Sequence, residues 1–344
     1  RRMVQELRAR DWPVEVIALD ASFPAPTPAA LAQAERALAA LPDGALVLAD
    51  GLAFGAMPAL AAAHGPRLRL VALVHHPLAH ETGLEAARAR QLHESERAAL
   101  RQVRAVVVTS PETAATLQRD YAVAAAQIEV VEPGTDVPAP DSARRHAAPD
   151  ANTDTHATTR LRLLCVATLA PRKGHELLLR ALAAIEPAHR PRLDCLGSTT
   201  RDPAQAARLQ DLVQRLGLAG DVWFHGECAP PAVAAAFAAA DLFVLGSWYE
   251  GYGMAVAEAI ACGLPVIATA VGAAPRVVGD DAGLLVPPGD QPAFTAALRR
   301  VVEDPGLRAR LAAAARRRAA RLPRWPEQAA RLARRLATVA AEPA

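Results

Sequence analysis

Two apolar rhythms alternate along the chain. Short β-branched runs recur at VEVIAL (14–19), ALVLA (45–49), RLVALV (69–74), AVVVTS (105–110) and IEVVEP (128–133), with alanine-rich stretches of helical spacing between them. Short continuous apolar runs bounded by turn residues read as buried strands. Strands alternating with helices imply βαβ units and a parallel sheet. The alternation stops at PAPDSARRHAAPDANTDTHATTR (138–160), which has no period and is rich in Pro, Asp, Thr and Ala. That stretch is expected to be a linker or disordered loop. The alternation then resumes at LRLLCVATL (161–169), RLDCLG (192–197), DVWFHG (221–226), DLFVLGS (241–247), PVIATAV (265–271) and GLLVPP (283–288).

Two βα arrays joined by a linker predict an α/β protein with two Rossmann-like domains facing each other across a cleft. The expected boundaries are 1–137, linker 138–160, 161–323, and a C-terminal helix over 324–344 that packs back on the N-terminal domain. The opening RRMVQELRAR reads as the middle or end of an amphipathic helix with no cap before it. The first domain is therefore expected to lack its first strand, the chain being clipped at its N-terminus.

Composition narrows the class. A chain of 344 residues is comfortable for two domains, and 52% apolar with 22% charged residues is the balance of a soluble globular protein. The formal net charge of +2 argues against a nucleic-acid binder driven by bulk charge. Arginine nevertheless gathers at Arg1, Arg2, Arg8, Arg10 and in RLAAAARRRAARLPRWPEQAARLARRL. The bland reading is a solvated helix face; the sharper one is peripheral contact of these basic helices with an anionic membrane. Cys165, Cys195, Cys228 and Cys262 show no metal-ligand spacing, and the first two sit inside strand-like runs as small core residues. With no spanning run and no visible signal peptide, the expected location is the cytoplasm.

Chemistry gathers where strands end. Open parallel sheets bind ligands at the carboxyl ends of their strands. His75 and His76 follow one such run, Arg172 and Lys173 another, and Ser198, Glu227 and Glu250 three more. In ATLAPRKGHELLLRAL, a helix starting near Gly174 leaves Arg172 and Lys173 at its N-terminus. The helix dipole disfavours cations there unless an anion such as a pyrophosphate joins them. The alternative is a solvated loop that happens to be basic. In GSWYEGYGMAVAEAIACGLP, Gly251 and Gly253 allow close backbone approach, a helix begins near Met254, and Gly263 and Pro265 end it. Glu258 lies just over one turn into a small apolar helix, where a carboxylate can accept both hydroxyls of a ribose. Glu250 lies earlier, in the turn. The dipole explains Glu250 adequately and Glu258 poorly.

Glu250 and Glu258, with seven residues between them, resemble the E-x7-E motif of retaining GT-B glycosyltransferases of family 4 (glycosyl transferases group 1). The likeness continues through CGLPVIATAVGAAPRVV, GLLVPPGD, LLCVATLAPRKGHELLLRAL and VEPGTD, nearly the whole chain. The resemblance implies a nucleotide-diphospho-sugar donor in the second domain and an unidentified acceptor, whether glycan, lipid or small molecule. Glu258 would hold the ribose, and Lys173 with Arg172 the pyrophosphate. Glu250 and the backbone of Gly251, Tyr252, Gly253 and Met254 would meet the sugar and phosphate. His75 matches the histidine placed near the sugar, with His76 as the fallback, and Glu227 and Cys228 would lie by the base. The family's transfer is same-face and metal-independent, so neither cofactor nor metal is expected.

The chain departs from the family pattern at Thr168, where Arg is usual, at Arg172, where an acid or neutral residue is usual, and at Arg276, where an acid often stands. Arg172 is expected to supply the missing guanidinium. The competing readings are a sugar-nucleotide epimerase on the same fold, a non-catalytic nucleotide-sugar-binding paralogue, and a dehydrogenase. The last is disfavoured because no G-x-G-x-x-G follows any strand-like run.

Overall fold

A computed structural model describes residues 1–136 and 160–342. The expected linker therefore lies outside the described residues apart from Arg160. The chain divides into two compact units, Arg1–Gly134 with Pro323–Ala344, and Thr135–Leu322. Both are Rossmann-like, each built on a parallel sheet with helices between successive strands.

In the first unit, β1 (Leu46–Asp50), β2 (Arg69–Val74), β3 (Ala105–Val108) and β4 (Ile128–Val130) lie side by side in chain order. Their pairings are all parallel. Burial on both faces explains the unbroken apolar runs: every residue of β3 is buried. The helix Trp325–Ala341 packs on this sheet. Its Ala329, Leu332, Leu336 and Val339 are buried at helical spacing, and the last three join Leu7, Val71, Val107 and Val131 in one core cluster.

The segment VEVIAL (14–19) corrects the sequence reading. It carries no ladder and is not a strand. Val16 and Ile17 are 63% and 47% exposed, while Val14 and Leu19 pack against the cores on either side. Alternation of apolar residues makes a strand only where a neighbour offers backbone partners, and β1 pairs with β2 alone among the described strands.

The second unit holds β5 (Arg162–Val166), β6 (Arg192–Leu196), β7 (Val222–Gly226), β8 (Leu242–Leu245), β9 (Val266–Thr269) and β10 (Gly283–Val286). Their spatial order is β10-β9-β8-β5-β6-β7, all parallel. The chain winds outward from β5 through β6 to β7, returns to the other side of β5, and winds out again from β8 to β10. The reversal falls between β5 and β8, the switch point at whose carboxyl ends open α/β sheets place their ligand crevice. Helix starts are set locally: Asp202, Asp290 and Asp304 cap Gln205, Ala293 and Leu307 N–H groups, each ahead of a proline that fixes the first turn.

Candidate functional site

The two loops at the β5/β8 crevice are locked together. After β5, a short turn at Pro171–Lys173 leads to Gly174, which is left-handed (φ 63°) and opens the helix His175–Ala183. A Cβ at this position would overlap the Gly246 carbonyl oxygen in the loop after β8, so only glycine admits this approach. The Trp248 N–H donates to the Arg172 carbonyl at 2.8 Å, and an Arg172 guanidinium N–H donates to the Tyr249 carbonyl at 2.8 Å. Thr269, at the end of β9, donates to the Ser247 carbonyl at 2.5 Å.

Within this frame the charged side chains meet. Lys173 Nζ donates to Glu250 Oε1 at 2.6 Å, and the Ser247 hydroxyl donates to the same oxygen at 2.7 Å. The Arg172 guanidinium lies 4.0 Å from Glu250 Oε2. Glu250 is buried, at 6% exposure, and Ser247 entirely so. The cations at this helix start thus face an anion belonging to the protein itself, the Glu250 carboxylate 77 residues away in sequence. A carboxylate this buried needs such partners.

Beyond Glu250 the turn Gly251, Tyr252, Gly253 leads into the helix Met254–Ala261. Gly253 is left-handed (φ 84°) and no side chain caps the helix, so the first-turn N–H groups have no side-chain acceptor at this end. Tyr252 is buried and Met254 half-buried. Glu258 lies on the same helix, half-buried. Burial, then the negative charge of Asp136, pushes its carboxyl above the ordinary range. Hydrogen-bond donors from a ligand would relieve a carboxylate in that position.

Other expected site residues lie elsewhere. Glu227 and Cys228 follow β7 at the sheet edge, separated from β8 by β5 and β6. Glu227 is exposed, and the Cys228 thiol points to the Gly226 carbonyl at 3.6 Å. His75 and His76 belong to the first unit, where they follow β2. His75 Nε2 lies 3.3 Å from Asp50 Oδ2, and both side chains are more than half exposed. Burial works against ionisation of Asp50, but hydrogen bonds from His75 and the Leu52 N–H hold its carboxyl below the usual range. His76 faces Glu81 at 3.7 Å. The turn below is held by Glu96, whose buried carboxylate accepts from the Leu78 N–H at 2.9 Å. Burial raises that carboxyl to about 7.

Sequence reasoning missed Ser247, Thr269 and Gly246 as members of the site. Their signal was present, because all three stand at strand ends beside the reversal point, but strand order is not written in local periodicity. Several arginines of the two basic stretches make contacts within the chain. Arg318 donates to the Val277 carbonyl, Arg331 pairs with Glu129, and Arg10 donates to the Pro326 carbonyl. No described helix is long and apolar enough to cross a membrane.

Comparison with known proteins places this geometry. Residues 150–318 match the family model of glycosyl transferases group 1, and residues 1–138 that of glycosyltransferase family 4. The MMP alpha-(1->4)-mannosyltransferase of Mycolicibacterium hassiacum is 30% identical over 277 residues, covering 76% of this chain and 63% of that protein. The D-inositol 3-phosphate glycosyltransferase of Thermomonospora curvata is 38% identical over 164 residues, covering 46% of this chain and 38% of that protein. The chain thus spans less than two thirds of the length of either relative. Among solved structures, a sucrose-phosphate synthase of Thermosynechococcus elongatus superposes with a TM-score of 0.76 at 26% identity, covering 95% of this chain and 81% of that one. Anabaena HepE in complex with UDP-glucose shares the fold, with a TM-score of 0.73 at 21% identity and coverage of 97% and 88%.

Proposed function

Because this chain belongs to the family 4 glycosyltransferases (glycosyl transferases group 1), we propose that it transfers a sugar from a nucleotide-diphospho-sugar to an acceptor hydroxyl, with retention at the anomeric carbon and no metal at the phosphates. The observation that carries this reading is the knot of half-buried Lys173 with buried Glu250 and Ser247, flanked by Arg172, at the point where the strand order reverses. Breaking the bond between sugar and diphosphate builds negative charge on the leaving phosphate. Fixed cations and free helix N–H groups beside that charge lower the barrier without reorganising. Lys173, Arg172 and the first turn at Met254 are the groups that do so here. A nucleotide-sugar donor also agrees with the UDP-glucose bound in HepE, which shares the fold.

The residues take distinct roles. Glu250 holds Lys173 in place and orients toward the sugar. Its short ion pair makes it a poor nucleophile, which favours same-face transfer, the leaving phosphate taking the acceptor proton, over a covalent sugar–enzyme intermediate. Glu258 accepts the ribose hydroxyls, which supply the donors its half-buried position calls for. His75 is assigned to the transferred sugar by the family resemblance, with His76 as its alternative, and Glu227 and Cys228 to the base.

The test pairs a panel of UDP-, GDP- and ADP-sugars with glycan, lipid and small-molecule acceptors, D-inositol 3-phosphate among them. The anomeric configuration of the product is read by NMR. Retention, with a rate unchanged by EDTA, is the expected result. An inverted product would overturn the mechanism, and a divalent-ion requirement the metal-free phosphate site. Glu258→Gln is expected to weaken nucleotide binding, and Glu250→Gln mainly to lower turnover. Loss of turnover alone in both variants would remove Glu258 from the ribose.

A further inference from the structure

Beneath the phosphate loop lies a cluster that the proposed transfer does not use. Cys165 on β5, Cys195 on β6 and His175 at the start of the next helix are all buried, at 0%, 1% and 1% exposure. Their ligand atoms lie within 4.8 Å of one another, and Cys165 Sγ is 3.8 Å from His175 Nε2. Among the described residues, this is the one His, Cys, Asp and Glu group that meets that spacing. Two thiols and an imidazole are the ligands of soft and borderline metals.

From this geometry we propose that Cys165, Cys195 and His175 hold a thiophilic closed-shell metal ion, Zn2+ or Cu+, as a structural brace under the donor loop. Thiolate and imidazole ligands select these ions over the hard cations that bind carboxylates and phosphates. An ion about 2.3 Å from each sulfur and about 2.0 Å from the nitrogen needs ligand atoms roughly 3.5–4.5 Å apart, which this cluster offers with little movement. A direct disulfide fits less well. Cys165 and Cys195 are directly paired across parallel strands. Both are free cysteines, and a disulfide between them would leave the His175 imidazole beside them unused.

The imidazole is the second observation. A buried neutral ring needs both of its nitrogens satisfied. His175 Nε2 meets only the Cys165 sulfur, and Nδ1 has no hydrogen-bond partner among the described residues. A metal–nitrogen bond would give this under-bonded ring a strong interaction in an otherwise apolar core. The placement also gives the ion a task. It would join β5, β6 and the first turn of His175–Ala183, the elements that flank the loops carrying Thr168, Ser198 and Lys173. It lies inside the sheet and not in the crevice, so it is compatible with transfer that needs no metal at the phosphates.

Elemental analysis of the whole chain, purified without chelator from medium supplemented with zinc or with copper, tests this directly. About one ion per chain is expected, identified as Zn or Cu by mass spectrometry. Because the site is closed, the reduced protein is also refolded from urea with Cd2+ or, anaerobically, with Cu+, and the thiolate-to-metal charge-transfer band is followed. The band should saturate at one equivalent, vanish in Cys165→Ala/Cys195→Ala, and persist in Cys228→Ser/Cys262→Ser. Absence of both co-purified metal and a stoichiometric band in the refolded wild type would overturn the proposal. So would an undiminished band in Cys165→Ala/Cys195→Ala. The wild-type measurement decides the matter even where a variant fails to fold.

Discussion

The two units place their notable side chains at the same point of the fold, the carboxyl ends of parallel strands, and hold them in opposite ways. At the β5/β8 crevice, Glu250 is buried and bound at 2.6 and 2.7 Å by two partners, and the loops beneath interlock at Gly174 and Gly246. At the end of β2, His75 and Asp50 stand 3.3 Å apart with more than half of each side chain in solvent. Strand order explains the difference. In the second unit the order reverses beside β5, so loops from two adjacent strands press on each other and fix one geometry. In the first, the described strands run in chain order, and the β2 loop rests on its own turn and on Glu96. The loops of the second unit are fixed by each other, whereas the exposed His75–Asp50 pair of the first can be altered with little disturbance to its core.

The largest contrast should come from glycine. Gly174 and Gly83 are both left-handed, but a Cβ at 174 overlaps Gly246 while a Cβ at 83 meets nothing within 4 Å. Gly174→Ala is expected to cost about 4 kcal/mol, combining the left-handed penalty with forced separation of the loops, and Gly83→Ala about 1 kcal/mol. Urea unfolding of both variants measures this, and equal costs would mean that the loops are not locked.

Next in size is a pH effect confined to the first unit. Burial holds the Glu96 carboxyl at about 7 against an ordinary 4.5. Between those values the folded protein keeps a proton that the unfolded chain has released. Stability therefore falls as pH rises through this window and levels off above it, by up to about 3 kcal/mol in all. Glu96→Gln keeps an acceptor for the Leu78 N–H and should flatten the profile, leaving the variant more stable than wild type at pH 8. A parallel decline in both proteins would assign the pH dependence to another group.

Smaller again is the ion pair. Lys173→Ala strands Glu250 with Ser247 as its close partner and should cost about 2–3 kcal/mol, below the figure for a fully buried pair because Lys173 is 19% exposed. His75→Ala should stay within about 0.5 kcal/mol, as an exposed residue does. Comparable losses at both positions would erase the distinction between the units.

Much of this was legible beforehand and some was not. The strand RLVALV (69–74) and the helix starting at Met254 stand where periodicity and glycine placed them. These features are local, and local chemistry sets them. VEVIAL has the same local signal as RLVALV, yet it pairs with nothing, since pairing depends on a neighbour the pattern does not name. The Lys173–Glu250 bond spans 77 residues and follows from β5 lying beside β8. The meeting of Cys165, Cys195 and His175 likewise depends on the register of β5 against β6. Side-chain types were readable, but their partners required the topology.

Calorimetry of the wild type, Arg172→Ala and Lys173→Ala against UDP, GDP and ADP, each beside its nucleoside, addresses the role of the crevice most directly. If the β5/β8 crevice is a diphosphate site, one diphosphate binds tightly to the wild type. Each variant then weakens it about tenfold, or about 1.4 kcal/mol, while the matching nucleoside is unaffected. Equal losses for diphosphate and nucleoside, or no loss for either, would show that Arg172 and Lys173 serve the fold and do not hold the donor phosphates.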